Sequence, residues 1–276
     1  MKHSLHLLLP IALAACQPVA APTDQTAKTP DRTLPPVVSE WKPIAFNAAS
    51  STLSPNEQSK FFTEFKSVVE KIERGEFETT EEFKKRLTDV DAVIRPFSID
   101  DDYAFKPKYA DLEYDADTQT YEPSYSIFCQ KHWPIDRGIS CGMGSVTDST
   151  ENYSGQNSFG AKAEVTSERG RDLYFVFNPA DLKGKRFRDR NNEYQLPITC
   201  PVPIGKARTL RGKHVLSAII VRLRKPDVIS GHSRFEDATV ASPRAKYYEP
   251  VGIPASFKGS LCFVQETGEI LHVSRY

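Results

Sequence analysis

Four cysteines, Cys129, Cys141, Cys200 and Cys262, constrain this 276-residue chain more than any other feature. Their weight comes from the way the chain opens. Met1-Lys2-His3 supplies a basic start, residues 5–13 form a short apolar run, and Ala14 and Ala15 close it. That run is too short for a bilayer, which needs roughly 20 apolar residues, but it fits an export signal. In an exported protein an even set of cysteines reads as disulfides. Three pairings are possible. Cys129–Cys141 with Cys200–Cys262 is preferred, because nearby pairs meet most readily. The first would close FCQKHWPIDRGISCGMG into a loop of about a dozen residues, worth about 3 kcal/mol through the entropy of the unfolded chain. No Cys-x-x-Cys occurs, so thioredoxin-like redox chemistry and a zinc ribbon both lack support.

The end of the apolar run is more specific than a general export signal. Leu13-Ala14-Ala15-Cys16 resembles the lipobox of bacterial lipoprotein precursors. The resemblance covers about the first 17 residues and carries no fold. It implies a signal peptide over 1–15, cleavage before Cys16 and lipidation of Cys16. The alternative is an ordinary secretory signal cut elsewhere. Two acyl chains anchor a protein firmly where one is marginal. Gln17, not Asp, follows the cysteine, which resembles the group sorted to the outer membrane. The implied address is therefore the outer membrane, lipid-anchored, with the body facing the periplasm. Residues 16–39 carry Pro18, Pro22, Pro30, Pro35 and Pro36 with Ala and Thr between them. With almost no large apolar residue they cannot offset ordering entropy, and they read as a flexible tether.

Residues 40–276 remain for a globular body. Ser54-Pro55-Asn56-Glu57 has the form of a capping box with proline at the first helical position. Phe61, Phe65, Val68, Val69 and Ile72 follow at helical spacing, and Gly75 offers a stop. Thr79-Thr80-Glu81-Glu82 is a second box, ahead of Phe83, Leu87 and Val90, with Pro96 as the far limit. The spacing predicts helices over 55–74 and 80–93, a hairpin whose apolar faces need a sheet. Beyond residue 103 the pattern turns to strands. YADLEYDADTQTYEPSYSIF reads as two strands around a turn, and NSFGAKAEVTSERGRDLYFVFN as two strands turning at Arg169-Gly170. KHVLSAIIVRL reads as a central strand, and SLCFVQETGEILHVSRY as a closing hairpin turning at Thr267-Gly268. Residues 149–156 are polar and read as a loop, with a possible subdivision there. The expected fold is α+β: an N-terminal helical hairpin packed on a mainly antiparallel β-sheet, with a β-rich C-terminal half.

Formal charge is zero overall, yet residues 1–160 hold 16 Lys/Arg against 24 Asp/Glu and residues 161–276 hold 20 against 12. Basic clusters stand at KGKRFRDR, ARTLRGK and VRLRK. One reading is that acidic and basic halves neutralise each other. The other is an anion-binding face formed by Arg186, Arg188, Arg222 and Arg224, for lipopolysaccharide, a cell-wall polymer or an acidic partner. The first is preferred, and no nucleic acid is expected.

Catalytic patterns are sparse. The stretch from Asp115 starts like a calcium loop, but Thr120 replaces the required glycine and Ser126 the closing glutamate, so a hairpin turn is the better reading. Cys129-Gln130-Lys131-His132 places a thiol near an imidazole, but a disulfide would consume the thiol. Gly142-Met143-Gly144-Ser145 is not a hydrolase elbow, and His132, His214, His232 and His272 lack ligand spacing. No metal or cofactor is expected. The sequence points to a non-catalytic binding or scaffolding module, held at the membrane by its lipid and facing an envelope protein or anionic polymer. The alternatives are an envelope hydrolase assembled from distant residues, or an inhibitor acting on an incoming protein.

Overall fold

The apolar run KHVLSAIIVRL forms the strand around which the body is built. The computed structural model describes residues 42–72, 76–123, 128–156, 159–182, 189–190, 193–196 and 198–276. Cys16 and the tether lie outside them. Three helices come first: α1 (Gln58–Glu70), α2 (Thr80–Arg86) and α3 (Val90–Val93). Strands follow as β1 (Asp102–Phe105), β2 (Leu112–Asp115), β3 (Thr120–Pro123), β4 (Phe128–Lys131), β5 (Ile139–Gln156) and β6 (Lys162–Phe177). After α4 (Pro179–Leu182) come β7 (Asp189–Arg190), β8 (Glu193–Gln195), β9 (Cys200–Pro201) and α5 (Ile204–Thr209). The chain closes with β10 (Val215–Leu223), β11 (Ile229–Ser230), β12 (Arg234–Glu236), β13 (Arg244–Val264) and β14 (Ile270–Arg275).

The large sheet has the order β1-β10-β13-β6-β5-β4-β8-β7, with β11, β12 and β14 also paired to β13. Its pairings are antiparallel except β6 with β13. A small sheet, β2-β3-β9, stands apart from it. The fold is thus mixed α and β, dominated by antiparallel sheet.

Alternation along β10 explains its unbroken apolar run. Ile219, Val221 and Leu223 enter the main core, while Leu216, Ala218 and Ile220 enter a second cluster with Leu53, Leu261 and Phe263. Successive side chains point to opposite faces, so a strand covered on both faces reads as continuously apolar.

Phenylalanines from α1 fill the main core. Phe61, Phe62 and Phe65 are fully buried. The Phe61 ring lies 4.8 Å from Phe105, 5.0 Å from Phe97 and 5.2 Å from Tyr103. Phe62 reaches Phe175 at 5.0 Å. Burial pushes the Tyr103 phenol up to about 12.

The start of α1 departs from the sequence reading. The helix begins at Gln58, with Glu57 as an N-cap that makes no side-chain hydrogen bond. Asn56 is buried and committed elsewhere: its side-chain oxygen accepts from the Ile44 N–H at 2.7 Å, and its backbone N–H donates to the Ala104 carbonyl at 2.9 Å. These bonds hold the chain extended beside β1 and delay the helix.

The box at the start of α2 forms as read. Thr79 accepts from the Glu82 N–H, and the Glu82 carboxylate accepts from the Thr79 N–H at 2.8 Å, which lowers its pKa. No α2 residue is buried, and Phe83 and Leu87 are only partly covered. The helix stops at Arg86, and a separate turn, α3, starts where Asp89 accepts from the Ala92 N–H. The link through Gly75 lies outside the described residues.

Two strand expectations are corrected. Residues 149–156 are not a loop but the distal part of β5, paired along β6 as far as Gln156↔Lys162. Arg169-Gly170 is not a turn but the middle of β6. Gly170 is required there by close approach: a Cβ would stand 2.1 Å from the Val146 carbonyl oxygen and 2.8 Å from the Tyr248 ring. The closing hairpin turns as expected, with Gly268 at φ +71°.

Both preferred disulfides are present. Cys129 and Cys141 sit opposite each other in the β4–β5 register. Cys200–Cys262 ties β9 of the small sheet to β13 of the large one.

A candidate ligand-binding cavity

The loop between β4 and β5 is closed at its base by Cys129–Cys141, whose Cα atoms are 4.1 Å apart. His132 takes a left-handed φ of 60°, and its Nδ1 lies 2.9 Å from the Asp136 carbonyl oxygen. The Trp133-Pro134 peptide is cis. Pro134 and Ile135 are buried, and they pin the loop. The Pro134 carbonyl accepts from the His232 N–H at 2.8 Å. Ile135 fills the space a Cβ on Gly252 would take, at 2.3 Å.

With those two residues turned inward, Trp133, Asp136 and Arg137 face outward. Trp133 is 51% exposed. Its ring stacks on the His232 imidazole, with centroids 5.6 Å apart and planes within 11°. The Asp136 carboxylate lies 3.2 Å from His232 Nε2. No Ser, Thr or Cys side chain among the described residues hydrogen-bonds to the His232 ring.

Arg137 also stands at the mouth of a cavity of about 450 Å³. Val176, Ile229 and Pro254 give it an apolar floor, while the Phe177 side chain turns into the main core. Arg224 and Lys225 complete its cationic rim. Arg224 pairs with Asp181 at 3.3 Å and Lys225 with Asp227. Arg137 has no ion-pair partner among the described residues. Such a site offers a surplus positive charge beside apolar surface, which suits an anion carrying an apolar body.

Of the four arginines singled out from the sequence, the two that are described, Arg222 and Arg224, face different partners. Arg224 reaches the cavity. Arg222 turns to Asp102 of β1 at 2.9 Å, where Arg275 joins it at 2.7 Å. Arg186 and Arg188 lie outside the described residues. The pairing at Asp102 joins the acidic half to the basic half, as does Arg171 with Asp148. Arg137 was missed because it stands alone in an acidic half. Its one legible signal was its place in a loop closed by two cysteines.

A second polar cluster sits on β6, β12 and β13. Asp172 is buried, accepts from the Ser145 hydroxyl at 2.5 Å and pairs with Arg234 at 3.1 Å, while Arg234 lies over the Tyr248 ring. The Asp172 hydrogen bond holds the Arg234 guanidinium above its ordinary pKa. Burial first, then the Asp172 charge, pushes the Tyr174 phenol up to about 12. Ser145 and Arg234 satisfy Asp172, and the cluster locks strands together rather than presenting a reactive group.

Other candidates resolve plainly. Asp115 accepts from the Asp117 N–H at 2.9 Å, in the turn joining β2 to β3. Cys129 is in a disulfide and offers no thiolate. Among the described residues, no group of three His, Cys, Asp or Glu could hold a metal ion, and no helix is long and apolar enough to cross a membrane. No protein family, no curated protein and no solved structure matches the chain.

Proposed function

We propose that this protein is a lipid-anchored envelope protein of the outer membrane, whose body binds an anionic ligand and does not transform it. The carrying observation is Arg137: a guanidinium with no ion-pair partner among the described residues, lining an apolar-floored cavity. Guanidinium groups match carboxylate and phosphate geometry, and an apolar floor rewards a ligand with a hydrophobic part. Arg224 and Lys225 add positive field, partly offset by their own aspartates. The body pairs an N-terminal helical hairpin, α1 with α2, with the sheet; the apolar face of α1 and the capping box of α2 support that reading.

Anilinonaphthalene sulfonate tests the cavity, since it joins an aromatic body to one anionic group. The native protein should enhance its fluorescence, and Arg137→Glu should weaken binding about tenfold or more, since a bidentate charge-assisted contact is lost. Melting should not change, because Arg137 is exposed and has no ion-pair partner among the described residues. Equal enhancement by both proteins would remove the cavity from the proposal.

The anchor rests on Leu13-Ala14-Ala15-Cys16, and the two disulfides support an oxidising compartment. Cys16→Ser should abolish metabolic labelling with a fatty acid and leave an unprocessed or unanchored chain. Labelling equal to that of the parent protein would end the lipoprotein reading.

A further inference from the structure

We propose that the ligand is an N-acylated, carboxylate-bearing amino sugar whose pyranose ring stacks on Trp133; this rests on the cavity being a binding site. Trp133 is held outward by the packing around it. Its neighbours Pro134 and Ile135 are buried and fix the loop, and the indole is held against the His232 ring. One ring face is backed by His232, and 51% of the residue remains exposed. A flat, preorganised aromatic face costs little entropy on binding and takes the apolar C–H face of a sugar ring.

The groups beside it supply the rest of the recognition. Asp136 uses one carboxylate oxygen toward His232, which leaves the other to accept from sugar hydroxyls. Arg137 is the next residue and supplies two parallel donors for a carboxylate. Arg137 lies four positions after Trp133, at most about 14 Å of extended chain, so a ligand of two sugar rings reaches both. The floor of Val176, Ile229 and Pro254 suits the methyl of an N-acyl or lactyl group. A fatty acid would leave the stacked Trp133, His232 and Asp136 unused, and an inorganic anion would leave the floor unused. A neutral sugar would leave Arg137 without a partner. Only a ligand combining ring, acyl methyl and carboxylate uses all of these features.

Calorimetry on the full chain tests the proposal with three probes. They are the disaccharide of N-acetylglucosamine and N-acetylmuramic acid, di-N-acetylchitobiose, which lacks the carboxylate, and an oligosaccharide ending in a deoxy-octulosonic acid, which carries a carboxylate but no N-acyl group. The first should bind at least about tenfold more tightly than chitobiose, the value of one charge-assisted contact. Arg137→Ala should erase that preference. Trp133→Ala should weaken binding of all three probes, and Trp133→Phe should recover part of it. If Trp133→Ala melts early, Trp133→Phe and Arg137→Ala still decide. Equal binding of the disaccharide and chitobiose, tighter binding of the ulosonic acid, or no sugar binding would each overturn the proposal. Anilinonaphthalene sulfonate is titrated alongside. If it binds while the sugars do not, only the ligand class is wrong; if it also fails, the cavity reading falls with it.

Discussion

Phe61→Ala should destabilise the body by roughly 3–5 kcal/mol, the range for removing a large aromatic side chain from a packed core. Phe61 is fully buried. Its ring meets Phe97, Tyr103 and Phe105 edge-on within about 5 Å and lies parallel to Phe65. Those partners come from α1, from the segment after α3 and from β1, so no single element can move in to fill the space. Urea denaturation followed by circular dichroism measures the loss as a lower midpoint with an unchanged slope. Phe83→Ala in α2 is the control and should cost less than about 1 kcal/mol, because surface changes are usually small. If the two variants lose equal stability, α1 does not lock the core as described. A Phe61→Ala loss below about 1 kcal/mol would have the same meaning.

Removing Cys200–Cys262 by paired alanines should cost about 4 kcal/mol through the entropy of the unfolded chain. The bridge spans 62 residues of sequence, against 12 for Cys129–Cys141, whose removal should cost about 3 kcal/mol. Both Cys200 and Cys262 are buried in the main core, and alanine leaves no unsatisfied polar group there. The longer bridge also has a local task. It fastens β9, a two-residue strand paired among the described residues to β3 alone, onto β13. Its loss should therefore raise amide exchange in β3, β9 and α5 beyond the global change. Thermal melting of both paired variants gives the ranking, and thiol counting under denaturant gives the parent state, expected near zero. Four reactive thiols in the parent protein, or the shorter bridge proving the more stabilising, would contradict this account.

Local chemistry was readable where it is self-contained. Thr79 and Glu82 cap α2 because both partners lie within one turn. The hairpin at Gly268 needs only a residue that tolerates positive φ. The run 215–223 reads as a central strand because both its faces are covered by apolar residues. The nearest-neighbour cysteine pairs also formed, since short loops close most readily.

What the sequence could not determine depends on distant partners. Asn56 belongs to an apparent capping box, but a backbone segment around Ile44 claims it, and the helix starts later. Residues 149–156 carry no apolar alternation because both strand faces there meet solvent; only pairing with β6 makes them a strand. Gly170 looks like a turn glycine, yet it is needed where Val146 and Tyr248 crowd the backbone. The first half of β13 contains Pro250 and Pro254, which lack the N–H a ladder needs, and it forms through a parallel pairing with β6. The cavity is the extreme case. Its rim joins Arg137, Arg224 and Lys225 from segments far apart in sequence, and Arg222, two residues from Arg224, is turned away by Asp102. The cap of α2, the turn at Gly268 and the apolar run of β10 are set by neighbours along the chain, so the sequence determined them by itself. Which charge stays uncompensated, and which backbone must stay bare, is set by neighbours across the sheet, and only the tertiary structure decided those.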